Sequence, residues 1–458
     1  MEYIKSQKNG KLLLCDGYRY RKDKARLNST SWRCTKTGCK GRLLVTGENY
    51  KKATNEHNHG PDPASNEAQI VREKIRKSAV SSEERPRAII QACSSNISEE
   101  ACVQIQSYDA ARRTIQRQRN KILPRNTTRN KNISEIDINE EYKKTDRGEN
   151  FLLYDSGNND NNRIIMFGTA RNIALLNEFP HWCVDGTFKV APQFFTQVYT
   201  VHALINNRAL PMIYVLLNNK QQATYKRVFE KLMEIEPTLR PESIVSDFEI
   251  SAINAINEVF PNAQITGCMF HLAQNLWKKI QKTHLVECYR ENEDTRKKCK
   301  MLLALSYVPV KDVQFAFEII TENFPDELKP LIDYWENYYV GRRILNVRPR
   351  FEINIWNMYD RIRSDLPKTN NSVEAWHNSF QKSLDCHHPC VSKLLMHLKK
   401  EQSFTETFIT RYRAGIREPK KPNCKYVQLR SRLKVLAENY AFRNVEDYLV
   451  SVALNLSL

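Results

Sequence analysis

Three acidic residues in this chain stand where carboxylates could converge. Asp185 in HWCVDGTFKVAPQFF follows a short apolar run, Asp247 in SIVSDFE follows a second, and Glu374 in NNSVEAWH lies on a predicted helix. Side chains at the ends of neighbouring strands can meet, and a helix packed across them can add a third. Such carboxylates bind hard cations, and Mg²⁺ keeps open positions for water and phosphate oxygens. Two ions about 3.5–4 Å apart can promote in-line displacement at phosphorus.

Each acid also has an ordinary structural interpretation. An aspartate before glycine usually forms a turn, as Asp185 could. Asp247 is a reasonable helix start, and Glu374 could be an exposed helix residue. Taken singly, the three residues therefore leave a metal site and plain structural roles both open.

A cysteine and histidine set near the start predicts a second kind of metal site. Cys34 and Cys39 are five positions apart, and His57 and His59 follow on alternate positions. Two cysteines and two histidines can form the closed tetrahedral ligand set of structural zinc. Zinc binding contributes roughly 10–16 kcal/mol in apparent terms to the folding of zinc-finger peptides. Surface thiols and solvated histidines are the alternative, and Cys15 is interpreted as a core thiol.

Two further groups contain ligand-type side chains. Cys268 and His271 form a Cys-x-x-His pair after a predicted strand, which indicates either a metal pair, a DNA contact or simple packing of the next helix. The second group lies at a loop-to-helix junction where zinc is less favoured than ordinary helix initiation, and it comprises Cys386, His387, His388 and Cys390.

The charge distribution indicates a polyanionic partner. The chain has a formal net charge of +19. Residues 1–130 hold 27 Lys/Arg against 13 Asp/Glu, a net of +14, so the front part is the expected docking region for nucleic acid. Candidate DNA contacts in a basic helix and after Asp185 are Arg112, Arg113, Arg117, Arg119 and Lys189. Four further arginines could be either DNA contacts or solvated surface charges: Arg342, Arg343, Arg348 and Arg350.

Composition favours an intracellular protein. The start has no signal region, and no apolar run approaches membrane-spanning length, so no membrane partner is expected. The 12 cysteines are scattered over 458 residues, which favours thiols and metal ligands over disulfides. A nuclear location is expected from the DNA substrate. A homo-oligomer is left open.

The pattern of elements predicts several domains. Residues 11–56 alternate as short strands, residues 59–65 break the pattern, and residues 66–122 have helical periodicity ending in the basic helix. These helices are predicted to form either a helix-turn-helix or a solvated linker. Residues 123–150 are polar and are predicted to be a flexible linker.

The rest of the chain is predicted to be α/β and then helical. From residue 151, strands followed by alternating helices and strands predict a mixed sheet with helices on its faces. Residues 284–365 predict an all-helical insertion, and residues 411–458 a helical tail.

The front segment resembles the FLYWCH zinc finger over residues 3–60. The resemblance depends on GYRY from Gly17, the Trp32-Arg33-Cys34 triplet, CKGRL from Cys39 and the closing His57-Asn58-His59. It implies zinc at Cys34, Cys39, His57 and His59, and binding to DNA or protein.

The region from about Phe151 to Gln402 resembles the MULE transposase domain of Mutator-like elements. Shared motifs are DGTFK with the downstream Gln, Tyr and His, SDFE, GC-x-FH-x-x-Q and TNN-x-VE-x-WH. The resemblance implies a ribonuclease-H-like domain, here over 151–410, in which Asp185, Asp247 and Glu374 hold two Mg²⁺ or Mn²⁺ ions.

The sequence therefore supports three functional hypotheses. The preferred one is a Mutator-like transposase that binds DNA through the finger and cleaves and joins phosphodiesters. The second is a transposase-derived DNA-binding or chromatin-associated regulator that does not use the acids. The third, a protein-interaction module without DNA, leaves the basic front part unexplained.

Overall fold

The computed structural model describes residues 1–5, 10–47, 50–82, 84–122, 132–206, 208–342, 347–366, 371–416 and 424–458. The chain divides into two compact units, Met1–Arg125 and Asn126–Leu458.

The first unit begins with a six-stranded antiparallel meander in which each strand pairs with the next along the chain. Its core contains Tyr20, Trp32 and Leu43, which are all buried on one face. Exposure alternates along the residues around Trp32 and Leu43, as expected for an antiparallel sheet that buries one face. The strands are β1 (Glu2–Lys5), β2 (Lys11–Cys15), β3 (Tyr18–Arg26), β4 (Ser29–Cys34), β5 (Arg42–Thr46) and β6 (Tyr50–Asn55).

Four helices complete the first unit. The first begins with a proline at its N-terminus, and the Asp62 side chain caps it by accepting from the backbone N–H of Ser65. Val71, Ile75, Ile89 and Ile115 share a small buried core. Because these helices bury apolar faces against one another, they do not form a solvated linker. They are α1 (Pro63–Ser81), α2 (Pro86–Ser94), α3 (Glu99–Gln104) and α4 (Tyr108–Ile122).

The second unit is built on a seven-stranded mixed sheet. Its strand order is β13-β12-β9-β10-β11-β8-β7. The three strands β13, β12 and β9 are parallel, and the other neighbours are antiparallel. The strands are β7 (Leu152–Asp155), β8 (Ile164–Phe167), β9 (His181–Thr187), β10 (Gln197–Ile205), β11 (Arg208–Leu217), β12 (Ser243–Ser246) and β13 (Gln264–Gly267).

Helices cover this sheet because its central strands are apolar on both faces. Every residue of β11 after Arg208 is buried, as in strands packed between two layers. Helix α5 is capped by the Thr169 hydroxyl, which accepts from the N–H of Asn172. The sequence analysis did not predict this helix. The helices up to β13 and directly after it are α5 (Ala170–Glu178), α6 (Gln222–Ile235), α7 (Ile250–Val259) and α8 (Met269–Lys282).

The remainder of the second unit is helical in its described parts. Residues 286–363 contain α9 (Val286–Glu291), α10 (Glu293–Ala304), α11 (Val313–Glu322), α12 (Lys329–Trp335), α13 (Ile353–Trp356) and α14 (Tyr359–Arg363). The last helices are α15 (Asn371–Leu384), α16 (Val391–Arg413), α17 (Cys424–Glu438) and α18 (Val445–Ala453). Among the described residues, none of these helices is long and apolar enough to cross a membrane.

Two predicted segments are packed into the second unit in their described parts. The predicted linker 123–150 lies outside the described residues up to 131, but from 132 onward it packs into the second unit, with Ile136 and Ile138 buried. The predicted tail 411–458 is also packed in its described parts, because Leu433, Tyr448 and Leu449 belong to the main core. In both segments a few apolar residues are buried by contacts with distant parts of the chain.

Candidate metal centres

The two cysteines and two histidines of the first unit converge at one end of its sheet. Their ligand atoms all lie within 4.8 Å of one another. Sγ of Cys34 is 3.3 Å from Nε2 of His59, and Sγ of Cys39 is 3.3 Å from Nδ1 of His57. Bonds of about 2.3 Å to sulfur and 2.0 Å to nitrogen at a tetrahedral angle place two ligands about 3.5 Å apart. The donor set therefore fits a four-coordinate zinc ion.

The other ring nitrogen of each histidine has its own partner. Nε2 of His57 lies 2.9 Å from the hydroxyl oxygen of Tyr20, and Nδ1 of His59 lies 2.9 Å from the carbonyl oxygen of Gly60. The Gly60 carbonyl can only accept, so Nδ1 of His59 carries the proton and its Nε2 is free to bind metal. The Tyr20 hydroxyl can accept from Nε2 of His57 in the same way, which leaves Nδ1 of His57 free. The Tyr18 ring stacks on His57 at a centroid distance of 3.7 Å. Both imidazoles are thus oriented before a metal binds.

The backbone supports both thiols. The N–H groups of Lys36 and Gly41 donate to Sγ of Cys34 and Cys39 at 3.4 and 3.3 Å. A Cβ at Gly41 would lie 2.5 Å from the His57 ring, so only glycine fits there. Cys15 is buried among apolar residues outside this ligand set.

Two of the three predicted acids lie at the same edge of the second sheet. Asp185 lies inside β9, which continues to Thr187, and not at the strand end that the sequence predicts. Asp247 directly follows β12, the parallel neighbour of β9. Because parallel strands end at one edge, both carboxylates belong to the same side of the sheet. Glu374 lies in the first turn of α15, which packs against β9 and β11.

Two histidines lie among the three carboxylates. Nδ1 of His271 is 2.7 Å from Oδ1 of Asp247, and its Nε2 is 3.3 Å from Oε1 of Glu374. Nδ1 of His377 is 3.3 Å from Oδ2 of Asp185. The sequence analysis assigned no role to His377. Its spacing of three residues from Glu374 on one helix was the available signal, since such residues share a helix face.

The acids influence one another electrostatically. Burial raises the pKa of Asp185, His377 lowers it by a hydrogen bond, and the charge of Asp247 raises it. Burial also raises the pKa of Glu374, which the charge of His271 lowers and those of Asp185 and Asp247 raise. Burial lowers the pKa of His271, but contacts with Asp247 and Cys268 raise it to about 11. Crowded carboxylates of this kind are stabilised by a cation.

The matches to known domain families agree with this geometry. Residues 3–59 match the FLYWCH zinc finger domain, and residues 181–275 match the MULE transposase domain. The chain carries a FLYWCH zinc finger followed by a MULE transposase domain. Both resemblances are thereby confirmed, and together they support a transposase-related, DNA-binding protein. A comparison with curated proteins found no match.

The MULE match contains only part of the predicted acid set. Asp185 and Asp247 lie inside residues 181–275, as do Cys268 and His271, whereas Glu374 and His377 lie beyond it. Among the described residues, Asp185, Asp247 and Glu374 are not one of the groups whose ligand atoms all fall within 4.8 Å of one another. Cys268, His271 and Glu374 do form such a group.

The predicted basic contacts have different environments. Arg113 and Arg117 are exposed on α4, Arg112 is half-buried on the same helix, and Lys189 is exposed in the loop after β9 of the MULE domain. The Arg119 guanidinium instead donates to the carbonyl oxygens of Ala79, Ser82 and Glu84, at 3.2, 2.9 and 2.6 Å. Arg119 thus caps the end of α1, and its guanidinium is committed to that structural role.

The cysteine and histidine group at residues 386–390, where zinc is the less favoured interpretation, does not assemble in the described part of the chain. Cys386, His387, His388 and Cys390 do not form a close ligand group. Sγ of Cys386 accepts from Lys393 at 3.2 Å, and Nδ1 of His388 lies 3.0 Å from the Ala191 carbonyl oxygen. His388 thus contacts the loop that follows β9.

The arginines of the helical region also have different environments. Arg342 pairs with Glu336 at 2.9 Å, and Arg343 lies outside the described residues. Arg348 and Arg350 line a cavity of about 590 Å³ next to α7. These two remain candidates for phosphate contacts.

Proposed function

We propose that this chain is a DNA transposase of the Mutator-like class that cleaves and rejoins phosphodiester bonds with Asp185, Asp247 and Glu374. The proposal depends on one observation: carboxylates from β9, from the end of β12 and from α15 lie around two histidine rings, with His271 in contact with Asp247 and Glu374, and His377 in contact with Asp185. Two of them lie in the segment that matches the MULE transposase domain.

The strand arrangement supports a ribonuclease-H-like fold for this domain. Antiparallel β9, β10 and β11 are continued by β12 and β13, which run parallel to β9. Residues 286–363 would then be a helical insertion between β13 and the helix that carries Glu374. This arrangement would bring an acid from each side of the insertion to one edge of the sheet.

Asp185, Asp247 and Glu374 are the residues that would hold a pair of Mg²⁺ or Mn²⁺ ions. Bound there, the ions would supply an activated water or hydroxyl oxygen and neutralise charge on the scissile phosphate. Asp185 is nearly buried, at 6% exposure, and His377 contacts its carboxylate. His377 therefore orients Asp185, and the Thr200 hydroxyl donates to the Asp185 carbonyl oxygen at 3.1 Å.

DNA binding is assigned to the first unit. The FLYWCH finger and helices α1–α4 belong to the part of the chain with a net charge of +14. Helix α3, a short turn and α4 would act as a helix-turn-helix, with Arg113 and Arg117 toward double-stranded DNA. We propose a nuclear location because the proposed substrate is DNA.

The test uses the purified full chain and DNA ends taken from inverted repeats that flank the coding sequence. The proposal expects nicking and joining with Mg²⁺ or Mn²⁺, lost in Asp185→Ala, Asp247→Ala and Glu374→Gln. Asp326→Asn, an exposed carboxylate far along the chain, is the matched control and should keep activity. Absence of nicking and joining by the wild-type protein would overturn the proposal.

A second candidate function is a transposase-derived DNA-binding regulator that does not use the acids. It is favoured by the position of His271, whose ring contacts both Asp247 and Glu374. DNA binding without strand cleavage, unchanged by Asp185→Ala, would support this candidate. Absence of flanking inverted repeats in the genome would favour it as well.

A further inference from the structure

Cys268, His271 and Glu374 form a group of ligand atoms apart from the FLYWCH finger. The sulfur, a ring nitrogen and a carboxylate oxygen all lie within 4.8 Å of one another. We propose that these three side chains bind a second zinc ion. The inference stands on the geometry of this group and does not require the chain to be a transposase.

The backbone brings the three ligands together at two helix starts. Cys268 is the residue before α8, and His271 lies in the first turn of that helix. Residues three apart share one helix face, so both side chains point to the same side. Glu374 lies in the first turn of α15. Val373, beside it, and Cys268 belong to one buried cluster, which fixes the two helix starts against each other.

The distances agree with metal coordination. Nε2 of His271 is 3.3 Å from Oε1 of Glu374. Two ligands bound at about 2.0–2.1 Å in a tetrahedral site are about 3.3 Å apart. Oε1 of Glu374 is buried, and its contact with Nε2 of His271 does not have the geometry of a hydrogen bond. A buried polar atom of this kind costs stability unless a partner satisfies it, and a cation between Nε2 and Oε1 would do so.

The second nitrogen of His271 has the environment of a metal-bound histidine. Nδ1 lies 2.7 Å from Oδ1 of Asp247. Metal-binding histidines usually present the other ring N–H to a carboxylate, which orients the ring and strengthens the ligand. Asp247 would fill this role for the zinc ion after a small rotation of the ring, because the 2.7 Å contact does not have the geometry of a hydrogen bond.

The ligand types select zinc over magnesium. Cys268 is fully buried, and its sulfur is a soft ligand. Mg²⁺ takes oxygen ligands in octahedral geometry, whereas zinc is typically four-coordinate and binds sulfur, nitrogen and carboxylate oxygen. Three protein ligands leave the fourth position for water or a substrate oxygen. An ion at this group would share Glu374 with the acid set, so zinc would compete there with the ions of the proposed function.

The test measures the zinc content of the full-length protein and requires neither DNA nor an activity assay. The protein is equilibrated with zinc, dialysed against buffer with a weak chelator, and its metal content is measured by mass spectrometry. Wild type is expected to retain two zinc ions per chain, one for each ligand group. Cys268→Ser and Glu374→Gln should each retain one. Cys183→Ser, a buried neighbour of Cys268 outside the ligand group, should retain two.

Cobalt substitution gives an independent readout. Co²⁺ bound to thiolate absorbs in the near ultraviolet, so Cys268→Ser should lose part of that absorbance while Cys183→Ser keeps it. Far-ultraviolet circular dichroism of each variant shows whether it folds. A wild-type protein with a single zinc ion, or a folded Glu374→Gln variant with two, would overturn the inference. Because no DNA is present, neither result bears on strand cleavage.

Discussion

Nδ1 of His377 lies 3.3 Å from Oδ2 of Asp185, and Thr200 contacts both residues. The Thr200 hydroxyl is 3.1 Å from the Asp185 carbonyl oxygen and 3.4 Å from Nε2 of His377. Strands β9 and β10 and helix α15 are therefore joined at one point. Asp185, which is the least exposed of the three acids, is held at this point.

His377→Gln removes the imidazole whose hydrogen bond lowers the pKa of Asp185. Burial and Asp247 then raise that pKa further, so Asp185 ionises only at higher pH. We expect the midpoint of Mn²⁺ binding to move to higher pH, with about 10- to 100-fold weaker binding at neutral pH. Titration calorimetry with Mn²⁺ across about pH 5.5–8.5 measures this midpoint and the affinity. The control is the exposed His284→Asn. Equal midpoints for wild type and His377→Gln would contradict this role.

Gly41→Ala tests the packing of the finger. The added methyl group would lie 2.5 Å from the His57 ring, so the imidazole must leave its place beside Cys39. We expect a loss of about 1–3 kcal/mol in stability and faster zinc release to a chelator. Gly60→Ala is the matched control because open space surrounds its Cβ position. Equal zinc release from both variants would show that the close approach at Gly41 is unimportant.

Arg117 and Arg119 lie on one helix but should respond differently to alanine. Arg119→Ala removes hydrogen bonds to three carbonyl oxygens at the end of α1 and should cost about 1–3 kcal/mol in stability. Arg117→Ala should leave stability unchanged, weaken DNA binding and reduce the salt slope by about 1. Thermal unfolding measures the stability of each variant, and DNA binding at about 50–200 mM salt measures its affinity and salt slope. Wild-type affinity should fall about a thousandfold over that range if six phosphates are contacted.

His202 should make the second unit sensitive to acid. Its side chain is fully buried, and burial holds its pKa well below the usual value, with the charge of His377 acting in the same direction. The unfolded chain takes up a proton near pH 6.5 that the folded chain does not, so stability falls below about pH 6.5, by at most about 1.4 kcal/mol per pH unit. Chemical unfolding at pH 5.0–7.5 should show a smaller slope for His202→Asn. Equal slopes would contradict this assignment.

Much of the fold could be predicted from local sequence patterns. Strands β9, β10 and β11, and the alternating α6, β12, α7, β13 and α8 that follow, lie where the apolar pattern indicates strands and helices. The finger ligands were recognisable because both pairs stand close in sequence, on either side of a predicted strand. In each case the signal is a short stretch whose own periodicity decides its structure.

The remaining features depend on contacts between distant segments. Arg119 resembles the other arginines of α4, and only the approach of the end of α1 separates its role from theirs. Ile136 and Ile138 stand alone in a polar stretch, and they are buried because the second core accepts them. His377 acquires a role only when α15 packs on β9. Local composition contains none of this information.

The order of the ligands along the chain has a consequence for protein synthesis. The finger and α1–α4 are complete by residue 122, whereas Glu374 and His377 follow the whole helical region 286–363. Any product that stops before α15 lacks the third carboxylate and the partner of Asp185. Under the proposed function, such a shortened product would retain the DNA-binding unit and occupy the same DNA as the intact protein. A stop codon or alternative splice before residue 371 would therefore produce a competitive inhibitor of the full-length chain.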